Sequence, residues 1–292
     1  MFTEINGIKL YYEDKGQGPA FVFIHGLGES APSWHFQTDF FSKSFRTVAM
    51  DLRGHAQSED GDTTITLDLL ASDVIGLLDY LGIEIAHFIG HSMGGVILQE
   101  IAARYPERML SIILSSTAGF FKPPVNTTNL ELRLERIDTL PMSELGALIA
   151  KIACAPDFEQ RQPEIFTEIK KTFQQNRTIP YRQATLAVFG SELSDHRSSS
   201  AKIKVPTLIM VGELDQTTPL TDSFNLLKLI PGSKMQILRN AAHLTKYEVP
   251  QDYNRAIVEF LAPYEPEVVL PLLCTFRKNI LLGNSFLLQY PE

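Results

Sequence analysis

Ser92 stands in the run Gly90-His91-Ser92-Met93-Gly94, between an apolar stretch and a stretch with helical periodicity. A serine hydroxyl is a poor nucleophile at neutral pH. To attack a carbonyl it needs a base for its proton, an acid that orients the base, and donors for the oxyanion that forms. Gly-x-Ser-x-Gly at a sharp strand-to-helix turn exposes the hydroxyl, because the glycines remove side chains that would crowd the turn. The helix that follows directs backbone N–H groups at developing negative charge. By itself the pentapeptide is a weak signal, its place between a strand and a helix strengthens it, and a glycine-rich turn carrying an idle serine is the alternative. The rest of the chain has to supply the other groups.

His243, in "RNAAHLTKYEVP", lies between a late strand and the last helix of the α/β pattern and is the expected base. Asp215, in "VGELDQTTP", follows an earlier apolar run and falls between Ser92 and His243 in chain order, which suits the orienting acid. Glu213 is the alternative carboxylate, whereas "ILSSTAGF" offers none. One oxyanion donor is expected from the backbone N–H of Met93, directly after the serine. The other is expected from Leu27 in "HGLG" (25–28), where glycines permit close backbone approach. Losing one such donor costs about 2.7–4 kcal/mol of transition-state stabilisation. His25 and His91 read as supports of these loops, and Asp51 and His55, in "DLRGHAQS", as shapers of a turn.

These groups have to be placed by strand ends. Residues 2–14 alternate around Asn6-Gly7, a hairpin signal. "AFVFIHG" (20–26) and "TVAMD" (47–51) are short apolar runs of the kind buried in a parallel sheet. Residues 66–82 carry helical spacing, with Thr66 as N-cap and Gly82 as stop. Strand "HFIG", a helix and strand "MLSIILSS" follow. The predicted fold class is therefore α/β, with a mostly parallel central sheet. From about 119 to 200 no strand is expected. Instead there are helical runs near 128–139, 143–153, 163–175 and 180–192, punctuated by prolines. "VPTLIMVGELD" (205–215), a helix near 220–230, strand "KMQILR" and a helix near 249–261 complete the pattern. The expected division is a core of 1–118 and 201–263, an inserted helical cap of 119–200, and an apolar tail, 264–292, of unassigned role.

A net charge of −8 with no basic cluster argues against nucleic acid as a partner. The two cysteines, Cys154 and Cys274, belong to no metal-like or disulfide-framework spacing, so no metal or cofactor is expected and a reducing compartment fits. The start of the chain reads directly as strand rather than as a signal peptide. No run approaches the ~18–20 apolar residues of a membrane span. A cytoplasmic protein acting on a small molecule, with no membrane association, is the expectation; the sequence assigns no oligomeric state.

The elements "HGLG", "DLRGHAQS", "GHSMGG", "ARYPERM", "VPTLIMVGELDQTTP" and "AAHLTKYEVP" together resemble the α/β-hydrolase superfamily over about residues 5–262. The resemblance implies Ser92 as nucleophile, Asp215 as acid, His243 as base, Leu27 and Met93 as oxyanion donors, and a cap over the site. Residues 176–213 and "YEVPQDYNRAIVEFL" are most similar to 3-oxoadipate enol-lactonases and small carboxylesterases. Two departures stand out. Ala56 replaces a glycine of the usual Gly-His-Gly-x-Ser turn, and Gly26-Leu27-Gly28-Glu29 stands where those lactonases have a Ser-Leu-Gly-Thr type of loop.

Three readings follow. The first is a serine hydrolase of small carboxylic esters or lactones. The second is a C–C bond hydrolase or cofactor-free perhydrolase on the same triad. The third is a non-catalytic ligand-binding protein of the same fold. Trp34, Phe120, Phe121 and Phe189 are candidate walls of a compact apolar pocket, with core packing as their alternative role. Arg182 is the cap arginine singled out as a carboxylate anchor.

Overall fold

The structure, a computed structural model, describes residues 1–119, 125–190 and 197–280. The apolar runs become strands β1 (Phe2–Ile5), β2 (Ile8–Lys15), β3 (Ala20–Ile24), β4 (Arg46–Met50), β5 (Ala86–His91), β6 (Met109–Ser115), β7 (Thr207–Gly212) and β8 (Lys234–Leu238). They form one sheet in the order β1-β2-β4-β3-β5-β6-β7-β8. The first two strands make the antiparallel edge. Their turn places Asn6 at φ 47° and Gly7 at φ 75°, the left-handed pair that a two-residue hairpin demands. From β4 across to β8 every neighbouring pair is parallel.

The helices are α1 (His35–Phe41), α2 (Leu67–Tyr80), α3 (Met93–Arg104), α4 (Val125–Thr139), α5 (Met142–Ala153), α6 (Phe158–Arg161), α7 (Pro163–Gln174), α8 (Thr178–Phe189), α9 (Arg197–Ser200), α10 (Leu220–Leu229), α11 (Thr245–Glu248), α12 (Pro250–Leu261) and α13 (Pro266–Ile280). Alternation along each strand sends side chains to two faces. Val22 and Ile24 of β3 join a core with α2, α3 and α10, while Phe21 and Phe23 join one with α1, α12 and α13. Helices on both faces are why these strands read as continuous apolar runs.

Helix α2 begins as its sequence implies, with Thr66 Oγ1 accepting from the Leu69 N–H at 3.2 Å, and Gly82 follows it at φ 65°. Between β6 and β7 the described residues hold the expected helices as α4, α5, α7 and α8, with the short α6 and α9 in addition and no strand. In the apolar tail, α13 lays Val269 and Leu272 into the core, and Phe276 stacks against Phe40 at 5.4 Å. Pro271 lies inside this helix, which is why the segment carries no clear helical signature in sequence. Ala56 takes φ 43°, a left-handed conformation that a glycine would occupy without strain. Below the same loop, Arg53 and Asp73 form a buried bidentate pair at 2.7 and 2.9 Å. Among the described residues no helix is long and apolar enough to cross a membrane.

Candidate active site

Parallel strands end together, so the loops after β3, β5, β7 and β8 gather at the carboxyl edge of the sheet. The chain runs from β3 outward to β4, then returns to place β5 on the other side of β3. Such a reversal opens a crevice at the strand ends. In register, Ile24 pairs with Gly90, which sets the loop opening at His25 beside the turn at His91 and Ser92.

Ser92 occupies φ 50°, ψ −114° between β5 and α3, an unusual conformation for a residue with a side chain. The turn is held by the Ser92 N–H donating to the Ser115 carbonyl at 2.9 Å and the Thr117 hydroxyl donating to the Ser92 carbonyl at 2.8 Å. Space explains the glycines. A Cβ on Gly90 would lie 2.4 Å from the Gly94 carbonyl oxygen, and one on Gly94 would lie 2.2 Å from that of Ile24. Ser92 itself is partly exposed, between the buried His91 and Met93.

His243 and Asp215 meet as the sequence order implies. His243 Nδ1 lies 3.0 Å from Asp215 Oδ2 and 3.2 Å from Oδ1. The carboxylate also accepts the N–H groups of Thr217 and Thr218 at 2.9 Å each, and the Thr218 hydroxyl at 3.0 Å. Burial pushes the Asp215 carboxyl upward, but the His243 charge and these hydrogen bonds outweigh it and hold the pKa below the ordinary carboxylate value. The alternative Glu213 is exposed, and its Oε2 accepts from the Asn240 N–H instead. His91, chain neighbour of Ser92, reaches His243 directly. Its ring lies 4.8 Å from that of His243, and its Nε2–H donates to the His243 carbonyl at 2.9 Å.

The loop after β3 approaches the serine closely, since a Cβ on Gly26 would stand 3.3 Å from Ser92 Cβ. The N–H groups of Leu27 and Met93 make no hydrogen bond among the described residues. His25 supports this loop. Its Nε2 accepts from the Leu52 N–H at 2.9 Å and its Nδ1–H donates to the Gly26 carbonyl at 2.7 Å, while burial drives its pKa down to about 3 and keeps the ring neutral. Asp51 joins the loops after β3 and β4 by accepting the N–H groups of Ala31 at 2.7 Å and Gln57 at 3.0 Å.

The inserted helices press on the same place. Asn176 Nδ2 donates to the Gly28 carbonyl at 2.7 Å, and Leu27 packs with Ile137, Leu145 and Tyr181 in one apolar cluster. The end of α5 is tied to the loop after β8, because the His243 N–H donates to the Ala153 carbonyl at 2.9 Å. Glu248 bridges the same two segments, accepting the N–H groups of Ala155 at 2.8 Å and Ala242 at 2.9 Å.

The pocket residues expected from sequence fare differently. Trp34 is wholly buried, packed edge-on against Phe23 at 5.5 Å, and belongs to the core rather than to a substrate wall; its place under α12 was hidden in sequence because α1 was not legible. Arg182 is not positioned as an anchor: its side chain is 40% exposed and its guanidinium pairs with Asp138 at 2.9 Å. Phe189 packs at the margin of the core with Arg133 over its ring at 4.5 Å. Phe120 and Phe121 lie outside the described residues. Arg133, over the Phe189 ring, was not among the residues expected from sequence. It is half-buried, its charge reaches the buried phenol of Tyr181, and no carboxylate among the described residues pairs with it. The available signal was its position on the face of α4 shared with Leu134 and Ile137. Two surface clefts, of about 440 and 420 Å³, share Pro156 and Leu214 and adjoin the outer side of the Asp215 loop; neither is lined by Ser92 or His243.

The sequence pattern described as the alpha/beta hydrolase fold matches residues 19–250. Among curated proteins, the chain is similar to 3-oxoadipate enol-lactonase 2 of Acinetobacter baylyi, 28% identical over 86% of this chain and 92% of that protein. It is also similar to 2-hydroxy-6-oxononadienedioate/2-hydroxy-6-oxononatrienedioate hydrolase 2 of Pseudomonas putida, 28% identical over 87% of this chain and 92% of that protein. Among solved structures, the enol-lactonase from Burkholderia xenovorans LB400 superposes with a TM-score of 0.84 at 28% identity, covering 90% of this chain and all of that one.

Proposed function

Because the chain belongs to the α/β-hydrolase family, we propose that it is a serine hydrolase of small carboxylic esters or lactones. In this reading Ser92 Oγ attacks the substrate carbonyl and passes its proton to His243 Nε2. The oxyanion takes hydrogen bonds from the Leu27 and Met93 N–H groups. The leaving alkoxide collects the proton from His243, and an acyl-enzyme remains. His243 then deprotonates a water that attacks the acyl carbonyl, the oxyanion collapses, and Ser92 recovers its proton as the acid departs. Asp215 keeps the imidazole proton on Nδ1, so that Nε2 is the accepting nitrogen.

The observation that carries this reading is the buried His243–Asp215 pair, linked through His91 to a serine held at φ 50°. The enol-lactonase relatives support the lactone side. The apolar cluster of Leu27, Ile137, Leu145 and Tyr181 supports a compact apolar pocket under a cap of residues 119–200. Arg133 supports a substrate that carries a carboxylate beyond its scissile bond. The dienedioate hydrolase relative favours a second reading, C–C bond hydrolysis by the same groups. A cytoplasmic location remains part of the proposal.

The test is a chain-length series of p-nitrophenyl esters beside a panel of lactones and one vinylogous diketone, with Ser92→Ala in parallel. Short esters or lactones are expected to turn over, and Ser92→Ala to lower kcat by on the order of 10⁶. Full activity in Ser92→Ala sinks the mechanism. A rate that peaks at long acyl chains refutes the compact pocket, and preferential cleavage of the diketone transfers the assignment to the C–C reading.

A further inference from the structure

Glu29 is one of the residues by which this chain departs from the lactonase type of loop, and it is 3% exposed. Its backbone N–H donates to the Gly26 carbonyl at 3.1 Å, and its Oε2 accepts the Gly26 N–H at 2.6 Å, so residues 26–29 are closed on themselves from both ends. The Gly26 N–H is thereby turned away, and the next one along the chain is that of Leu27. The same Oε2 lies 2.8 Å from His91 Nδ1. Oε1 accepts from Lys246 Nζ. Lys246 is fully buried, with Nζ 4.7 Å above the Trp34 ring and 5.4 Å from that of Tyr247. The far side of His91 donates to the His243 carbonyl.

One carboxylate thus touches the loop after β3, the neighbour of the nucleophile and the residue three beyond the base. Stability alone does not account for the set, since a well-packed apolar group of equal volume is often as stable as a buried ionic cluster. Hydrogen bonds between charged groups add fixed direction, which apolar contacts lack. Burial would raise the Glu29 carboxyl, but His91 and Lys246 hold it well below the ordinary range, so the anchor stays ionised.

We propose that Glu29, locked by Lys246 and His91, is a positioning residue that sets the Gly26–Leu27 peptide against Ser92 and fixes the spacing between the oxyanion donors and His243; this rests on the serine-hydrolase reading above. Oxyanion stabilisation depends on where the donors point relative to the transition-state oxygen, so a loosened loop loses kcat rather than ground-state binding.

The experiment is Glu29→Gln, with Lys246→Met and Glu29→Asp beside it. The amide of Glu29→Gln has one accepting oxygen where the carboxylate uses two, Oε2 for the Gly26 N–H and Oε1 for Lys246. Its kcat on a short p-nitrophenyl ester is expected to fall ~10–100-fold, less than the ~10²–10³ of losing a donor outright, with KM unchanged. Affinity for an alkylboronic acid, whose boron takes up Ser92 Oγ as a tetrahedral oxyanion mimic, is expected to fall by the same factor. Lys246→Met is expected to move both quantities in the same direction by less. A purely structural role would lower the melting temperature and leave kcat and boronate affinity at wild-type values well below that temperature, and this result overturns the proposal. Where Glu29→Gln does not fold, the same two readouts on Lys246→Met and Glu29→Asp decide it. Failure of the underlying reading looks different: wild-type protein that is not labelled at Ser92 by a fluorophosphonate, or full activity in Ser92→Ala.

Discussion

Replacing Asp215 by asparagine keeps the shape of the side chain and changes only what it can accept. The carboxylate takes the Thr217 and Thr218 N–H groups on Oδ1 at 2.9 Å, and faces His243 Nδ1 through Oδ2 at 3.0 Å. An amide has one oxygen. If that oxygen stays with the threonine N–H groups, the NH₂ turns toward His243 Nδ1, which must then accept. The imidazole proton moves to Nε2, the nitrogen that has to receive the proton of Ser92. If the amide flips, the NH₂ confronts the part-buried Thr217 and the buried Thr218 N–H groups, and each donor left unpaired costs about 1–3 kcal/mol. The wrong tautomer is therefore favoured by roughly 2–6 kcal/mol. At about 1.4 kcal/mol per decade, the competent fraction falls to between about 10⁻¹ and 10⁻⁴. kcat is expected to drop about 10–10⁴-fold with KM little changed, the upper end matching the ~10⁴ seen when the acid of a Ser-His-Asp triad becomes an amide. Stability should respond to pH in a matching way. Asp215 has a depressed pKa, so its stabilisation is present above the ordinary carboxylate value and is lost as pH falls through the lower, folded-state value. The variant lacks that contribution and should lose less stability on acidification. Steady-state and burst kinetics on p-nitrophenyl acetate, with urea unfolding at several pH values, provide the assay. A loss in kcat of less than about tenfold in a normally folded variant refutes the tautomer argument.

Other outcomes follow from side chains around the site. Arg133→Ala is expected to raise KM for a carboxylate-bearing lactone ~10–100-fold, the worth of a hydrogen bond to a charged group, and to spare neutral esters. Arg182→Ala, already paired with Asp138, should leave both unchanged, and equal effects from the two variants would remove Arg133 as the anchor. Asp73→Asn leaves the buried Arg53 guanidinium without its ionic partner and is expected to cost about 3–5 kcal/mol of unfolding free energy in urea; a loss below about 1 kcal/mol would mean that the pair is solvated. Burial raises Glu248 to about 7 from its ordinary value of 4.5, so the folded protein binds a proton across that window that the unfolded chain does not. Its contribution therefore declines as pH rises through the window, by on the order of 3 kcal/mol, and Glu248→Gln should flatten that part of the wild-type stability profile in urea titrations. An unchanged profile would mean that Glu248 is ionised throughout.

The sequence by itself determined the order of elements and the groups at their ends. Hydrophobic period and the placement of Asn6-Gly7, Thr66 and Gly82 are local signals, written by backbone conformations that neighbouring residues impose. Ser92, Asp215 and His243 were legible as candidates because each lies in the segment that follows an apolar run, and parallel strands bring such positions to one edge whatever their distance along the chain. Which of Glu213 and Asp215 faces the histidine was, in sequence, only a preference for Asp215. It is decided by the turn at residues 215–218, whose N–H groups fold the Asp215 carboxylate inward while Glu213 stays in solvent. The roles of aromatic and charged side chains were the least legible. Trp34 went to the core and Arg182 to an outer ion pair, because a residue type says nothing about which side of a helix meets the interior. The Glu29, His91 and Lys246 contacts could not be read from spacing at all. Lys246 lies 217 residues from Glu29 in the chain, and only the meeting of the loops after β3, β5 and β8 gives a buried lysine its carboxylate.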